Sequence, residues 1–131
     1  MALAAPLVGG THEELVDLLR ALTDGLSQNN GVGFLDHFDH SMPDYYQLER
    51  YIDALAANYE LSCSVDITKQ EGDDQAQTAE LDWFLEIHPR GPIGEVERRR
   101  QNVKIRLERR KKKWKIMAIE PITLFAPPAV R

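Results

Sequence analysis

Val103-Lys104-Ile105-Arg106-Leu107, inside the window Arg98 to Lys115, decides how this chain folds. Apolar and basic residues alternate there one by one, which sends every second side chain to the same side of an extended strand. The window holds eleven of the chain's 16 Lys and Arg with Glu108 as its one acid, leaving 5 bases against 20 acids elsewhere and a net charge of −5. A strand with an apolar inner face and a basic outer face accounts for that run without nucleic acid. The negative overall charge also disfavours general attraction to phosphate backbones. Single-strand platforms use several stacking aromatics, and the outer face here offers Phe84 alone, so no nucleic-acid partner is expected.

The same alternation spreads to both sides. Leu61, Cys63, Val65 and Ile67 alternate with Ser62, Ser64, Asp66 and Thr68 as a first strand, and Gly72 supplies the positive φ of the turn Glu71-Gly72-Asp73-Asp74. A second strand over about 76–88 turns Ala79, Leu81, Trp83, Leu85 and Ile87 inward, and a third covers about 96–109. A connecting loop centred near Gly91–Pro92 sets Glu86 opposite Arg98 and Glu80 opposite Lys104. The outer face then carries Glu80, Asp82, Phe84, Glu86, Arg98, Arg100, Lys104 and Arg106. Opposite charges on neighbouring strands complement one another within the sheet. Acidic and basic strips side by side are also self-complementary across a two-fold axis, which makes these eight residues the candidate homodimer interface. A fourth strand over about 113–125 has two possible registers. A two-residue turn at Lys111–Lys112 buries Trp114 and Ile116, whereas a turn centred on Lys111 buries Met117 and Ile119.

Ahead of the strands the period is 3.6. Thr11 with Glu14 reads as a capping box, and Leu15, Leu18, Leu19, Leu22 and Leu26 predict a helix over 12–28 that Asn29-Asn30-Gly31 stops. A second helix over about 32–40 gathers Phe34, Leu35, Phe38 and Met42 on one arc. Ser41 is the expected cap of a third, with Pro43 in its first turn and Leu48, Ile52, Leu55 and Tyr59 as its buried stripe. Three helices followed by a four-strand meander predict an α+β domain, with the helices packed on one face of a curved antiparallel sheet. The expected organisation is a flexible tail over 1–10, one domain over 11–126 and a short tail over 127–131. Cys63 is the chain's one cysteine, so no internal disulfide forms, and its strand position predicts a small buried hydrophobe. No apolar run reaches the ~20 residues of a membrane span, and none is expected. Ala2–Gly10 lacks the basic flank and length of a signal peptide. The compartment reading is cytoplasmic, with secretion the alternative if that tail is the remnant of a processed precursor.

The order of elements, together with Glu80-Leu81-Asp82-Trp83-Phe84-Leu85-Glu86-Ile87 and Arg106-Leu107-Glu108-Arg109 through Lys113-Trp114-Lys115-Ile116, resembles the nuclear transport factor 2-like superfamily. That group includes ketosteroid isomerases, SnoaL-like cyclases and many bacterial proteins without known activity. The resemblance covers about residues 12–125 and rests on topology and a strand, basic turn, Trp-x-Ile pattern. It implies a cystatin-like cone with a pocket at its wide end, walled here by Phe34, Phe38, Tyr51, Leu81, Trp83, Ile105 and Trp114. Active relatives carry a longer acidic segment between the second and third helices, shortened here to Ser41-Met42-Pro43.

The candidate acid–base residues are Asp44, Asp39, His37 and Tyr45, all borne on the helices. The inward strand positions supply neither a carboxylate nor a histidine across 61–67, 79–87 and 103–107, which argues against catalysis. Asp36 and His40 stand four apart but fall opposite the apolar arc, and no dedicated ligand spacing supports a metal or other cofactor. The readings in order are a module that binds a small hydrophobic molecule or has no catalysis and forms a homodimer, then an isomerase, cyclase or dehydratase, then a protein-interaction module using the charged face.

Overall fold

The computed structural model describes residues 4–92 and 94–128. Three helices, α1 (Ala4–Ser27), α2 (Gly31–Leu35) and α3 (Tyr45–Asn58), precede four strands, β1 (Tyr59–Gly72), β2 (Ala76–Pro89), β3 (Glu97–Arg110) and β4 (Lys113–Glu120). The strands form one antiparallel sheet in the order β1-β2-β3-β4, and a 3-10 turn, Ile122–Phe125, closes the chain. The α+β architecture expected from the sequence is therefore present. No helix of the described residues is long and apolar enough to cross a membrane.

The β2–β3 hairpin realises the register read from its charges. Glu86 lies opposite Arg98 and Glu80 opposite Lys104, with the ladder unbroken from Ala76↔Glu108 to Ile87↔Glu97. Because parity never slips, Ala79, Leu81, Trp83, Leu85, Ile87, Val103, Ile105 and Leu107 all face the helices and are buried. Burying each such large side chain stabilises the fold by roughly 1.5–3 kcal/mol before entropy is charged against it.

Parity does slip at two places. A bulge at Thr68 shifts β1 so that Gln70, rather than Lys69 or Glu71, comes to the helix side. There Gln70 Nε2 donates to Gln77 Oε1 at 3.0 Å, and His12 Nδ1 lies 2.8 Å from Gln70 Oε1. The second bulge resolves the two registers of β4. The turn is the two-residue one, with Lys111 and Lys112 at φ 51° and 72°, so Arg109 faces Trp114 and Leu107 faces Ile116. Past Ile116 an extra residue, Met117, restores Ile119 opposite Ile105, so residues from both alternatives are buried.

Several boundaries differ from expectation. The first helix begins at Ala4, so residues 4–10 of the expected tail are helical and Thr11 lies within the helix rather than capping it. Asn29 ends that helix region in the left-handed conformation, as its residue type allows. The second helix is one short segment capped by Asn30, whose side chain accepts from Gly33 N at 2.9 Å. Beyond it Phe38 forms a bridge with Ile116: Ile116 N donates to His37 O and Asp39 N to Ile116 O, both at 2.9 Å. Backbone pairing to β4 thus replaces the expected extra helical turn. Ser41 does not cap α3; Asp44 holds that position at φ 66°, without a side-chain cap bond. The fourth strand stops at Glu120, because Pro121 lacks the N–H to continue it. Residues 129–131 of the expected C-terminal tail lie outside the described residues.

Candidate functional site

The cone interior is filled by its own aromatic side chains. Phe34 and Phe38, brought in by α2 and the segment after it, pack with ring centroids 5.1 Å apart. Phe125 from the 3-10 turn meets Phe34 at 5.6 Å and Trp83 at 5.2 Å, edge to face in both pairs. Phe34, Phe38, Leu81, Trp83 and Phe125 are each 0% exposed, and Ile105 is 3% exposed. Tyr51 and Trp114 sit partly buried at the border of this core. Trp114 turns outward at its edge: Nε1 donates to Glu14 at 3.1 Å, and the Arg109 guanidinium lies 4.5 Å above the ring. Among the described residues, the four main surface grooves are lined by none of Phe34, Phe38, Tyr51, Leu81, Trp83 or Trp114, and Ile105 alone of the expected set borders one.

Beside the plug, Trp83 Nε1 is buried with no hydrogen-bond partner of normal geometry. Burial pushes the neighbouring Cys63 thiol up to about 12, an effect the Trp83 indole N–H partly offsets. Burial thus favours the neutral thiol of Cys63.

The four acid–base candidates do not converge. Asp39 accepts from both the backbone N and the hydroxyl of Ser41, and those bonds hold its carboxyl below the usual carboxylate range. His37 lies against β4; burial lowers its pKa, the Lys115 and Lys113 charges lower it further, and the Asp36 charge opposes them. Tyr45 is buried and stacked on the His40 ring at 4.5 Å, its hydroxyl pushed up first by burial and then by the Glu49 charge. Asp44 is exposed and borders a groove that it shares with Ile105, Ala79 and Ile119. Among the described residues no hydrogen bond or ion pair joins the side chains of any two of these four, and of them Tyr45 alone is buried in the core cluster that holds the aromatic plug. Nor is there any group of three or more His, Cys, Asp or Glu arranged to hold a metal.

The outer face of the sheet is where the charges come together. Arg98 Nε donates to Glu86 Oε2 at 2.8 Å, and Arg100 grips Asp82 with both ends of its fork, at 3.0 and 2.7 Å. Those arginines hold the Glu86 and Asp82 carboxyls below their ordinary range. Arg106 bonds Glu108 at 3.0 Å on its own strand. Further along, the register places Lys69, Glu80, Lys104 and Glu120 in one row across all four strands, with alternating sign. A groove of about 780 Å³ opens over this row, with Ala118, Pro121, Ile122 and Pro43 as its apolar parts.

Two basic side chains on the inner side have structural tasks the alternation did not reveal. Arg99 Nη1 donates to Leu124 O at 2.7 Å and Ala126 O at 2.5 Å, which ties down the turn that presents Phe125. Arg109 bonds Glu14 Oε1 at 2.9 Å and Asp74 O at 2.6 Å, joining α1 to two hairpins. Phe125 itself was missed because the expected fourth strand ran to 125, whereas the chain leaves the sheet at Pro121 and a 3-10 turn brings Phe125 into the core.

No family model matches the sequence, and no curated protein does. Solved structures do match. A conserved protein from Planctomyces limnophilus superposes at a TM-score of 0.77 with 7% identity, covering 85% of this chain and 94% of that one. A Novosphingobium aromaticivorans protein provisionally assigned as a scytalone dehydratase gives 0.73 at 7% identity, with 82% and 80% covered. A nuclear transport factor 2-like superfamily protein from Salmonella enterica gives 0.65 at 10% identity, with 86% and 89% covered. At such identities the likeness is one of fold.

Proposed function

From a chain with the nuclear transport factor 2-like fold, we propose a non-catalytic homodimeric module whose working surface is the outer face of its sheet. The observation that carries this reading is the plugged interior. Phe34, Phe38, Trp83 and Phe125 fill the place where the family resemblance puts a pocket, and among the described residues neither a carboxylate nor a histidine is buried with them. Catalysis needs a reactive group within reach of an enclosed substrate, and here no hydrogen bond or ion pair among the described residues joins the candidate groups, of which Tyr45 is buried and Asp44 exposed.

The row Lys69, Glu80, Lys104, Glu120 supports a second copy as the partner. A two-fold axis lying in the interface along the strands turns the row end for end. Lys69 then meets Glu120 of the partner subunit, and Glu80 meets the partner's Lys104. Opposite signs coincide at all four positions, so the charges set register and orientation. Exposed pairs contribute little energy, so the apolar part of the groove supplies the attraction.

Light scattering across a dilution series tests the reading. The wild-type chain is expected to dimerise, Lys104→Glu to be monomeric, and the exchange Glu80→Lys with Lys104→Glu to restore the dimer. A wild-type monomer at every concentration, or a dimer indifferent to Lys104→Glu, would overturn it. The plugged interior is checked separately: saturable uptake of an apolar fluorophore quenched by Trp83 would reopen it.

A further inference from the structure

β1 is an edge strand of 14 residues, and its outer side is open. Among the described residues no backbone hydrogen bond runs from the outer edge of 60–71 to another part of the chain. Beside that edge lies a groove of about 500 Å³, separate from the outer sheet groove. One wall is five consecutive residues of β1, Cys63 to Ile67; the other is a single stripe of α1 that includes Val16, Leu19, Arg20 and Thr23. Consecutive strand residues line a groove together only where the strand is approached from its edge, since alternate side chains point to opposite faces. The groove is closed at one end by the His12–Gln70 contact at 2.8 Å and at the other by Cys63 Sγ against Thr23 O at 4.0 Å.

We propose that this groove takes an extended polypeptide segment, which adds to the sheet as a fifth strand beside β1. Two features select that occupant. The unpaired N–H and C=O groups of 63–67 repeat at strand spacing, and another extended backbone is what matches them over about 16 Å. The groove then receives every second side chain of the guest. Val16, Leu19 and Val65 offer apolar contact there, while Arg20 stands exposed on the helix wall, paired among the described residues with Asp17 at a loose 3.9 Å, and Asp66 lies on the strand wall. A guest with an apolar side chain entering the groove and a carboxylate beside it complements both. The Thr68 bulge ends the regular edge just beyond Ile67, which limits the match to a short segment.

The probe is a capped peptide of about seven residues alternating valine and threonine with one central glutamate, long enough to span the groove. Titrated into the full ¹⁵N-labelled chain, it is expected to shift the amides of 63–67 saturably and to slow their exchange with solvent. Val16→Arg, which fills the groove from the partly exposed side of α1, abolishes the shifts while the rest of the spectrum stays in place. Arg20→Glu weakens the glutamate peptide about threefold and spares a version with lysine in its place, the size expected of one exposed charge pair. A peptide with proline at alternate positions, lacking the N–H groups, does not bind. The proposal is overturned if the amides of 63–67 do not respond, or if their response survives both Val16→Arg and the proline peptide. These readouts hold for monomer and dimer alike, so a failure here leaves the sheet-face dimer standing.

Discussion

The two faces of the sheet are built from the same strands yet follow different rules. On the inner face, position is fixed by volume: Trp83, Phe34, Phe38 and Phe125 interlock, and each is fully buried. On the outer face, position is fixed by sign: Glu86 with Arg98, Asp82 with Arg100, and an alternating row of single charges. The arginines divide along the same line. Arg99 is sequestered under the C-terminal turn with its side chain 17% exposed, while Arg100 next to it is 72% exposed in an ion pair. One residue of alternation separates a structural tie from a surface group. A core fixed by volume is intolerant of loss, whereas a face fixed by sign can be rewritten by exchanging partners.

The largest effect should come from breaking the inner face. Trp83→Ala removes the centre of the plug and is expected to cost about 3–5 kcal/mol, read as a lower urea midpoint at unchanged slope. A loss below ~1 kcal/mol would mean that the interior relaxes around the gap and is not the rigid core described. Trp83→Phe, which keeps most of the volume and removes the unpartnered Nε1, should cost far less.

The next effect tests the tie between the faces. Arg99→Ala leaves Leu124 O and Ala126 O without their donor and releases the turn that carries Phe125. About 2 kcal/mol is expected, with the near-ultraviolet signal of Trp83 weakened as its edge-on neighbour loosens. An intact signal would show that Phe125 is held by packing alone. At the β3–β4 turn, Lys112→Gly should gain about 0.5–1 kcal/mol, because Lys112 sits at φ 72° in a turn that favours glycine. A loss there would show that the lysine makes compensating contacts.

These tests also mark where the fold could be read from residues. β2 and β3 were legible because their ladder is unbroken: alternation gives the buried face, and the loop centre gives the register. The bulges at Thr68 and Met117 were not, since an inserted residue leaves the composition of a strand unchanged and alters only its parity. For β4 this meant two competing registers, each right over half of the strand. Phe38 looked helical because its spacing from Phe34 suits a helix, yet its backbone pairs with β4. The candidate site was less legible than the fold. Phe34, Phe38, Leu81 and Trp83 are buried in one core cluster, but whether such residues wall a space or fill it depends on Phe125, which lies after the last strand. Asp44, Asp39, His37 and Tyr45 are close in sequence, but the irregular segment between α2 and α3 leaves Asp44 exposed, ties Asp39 to Ser41, sets His37 against β4 and buries Tyr45.

The smallest effect belongs to the outer face and is seen in protonation. Asp82 is held ionised chiefly by its two bonds to Arg100, so its folded pKa lies below the value in the unfolded chain. For a carboxyl lowered in this way the stabilisation is complete above the unfolded pKa of about 3.9, and is lost as pH falls through the folded one. Arg100→Gln should therefore raise the Asp82 midpoint toward the ordinary carboxyl value, followed by ¹³C shifts of the side chain. Near neutral pH the melting temperature should hardly move, because Arg100 is exposed and Asp82 only half-buried, so solvent screens the pair. The wild-type advantage over the variant should in turn vanish at low pH, where Asp82 is protonated in both chains. A large melting shift at neutral pH would show that Arg100 holds the sheet as Arg99 does, and the division between the faces would fail.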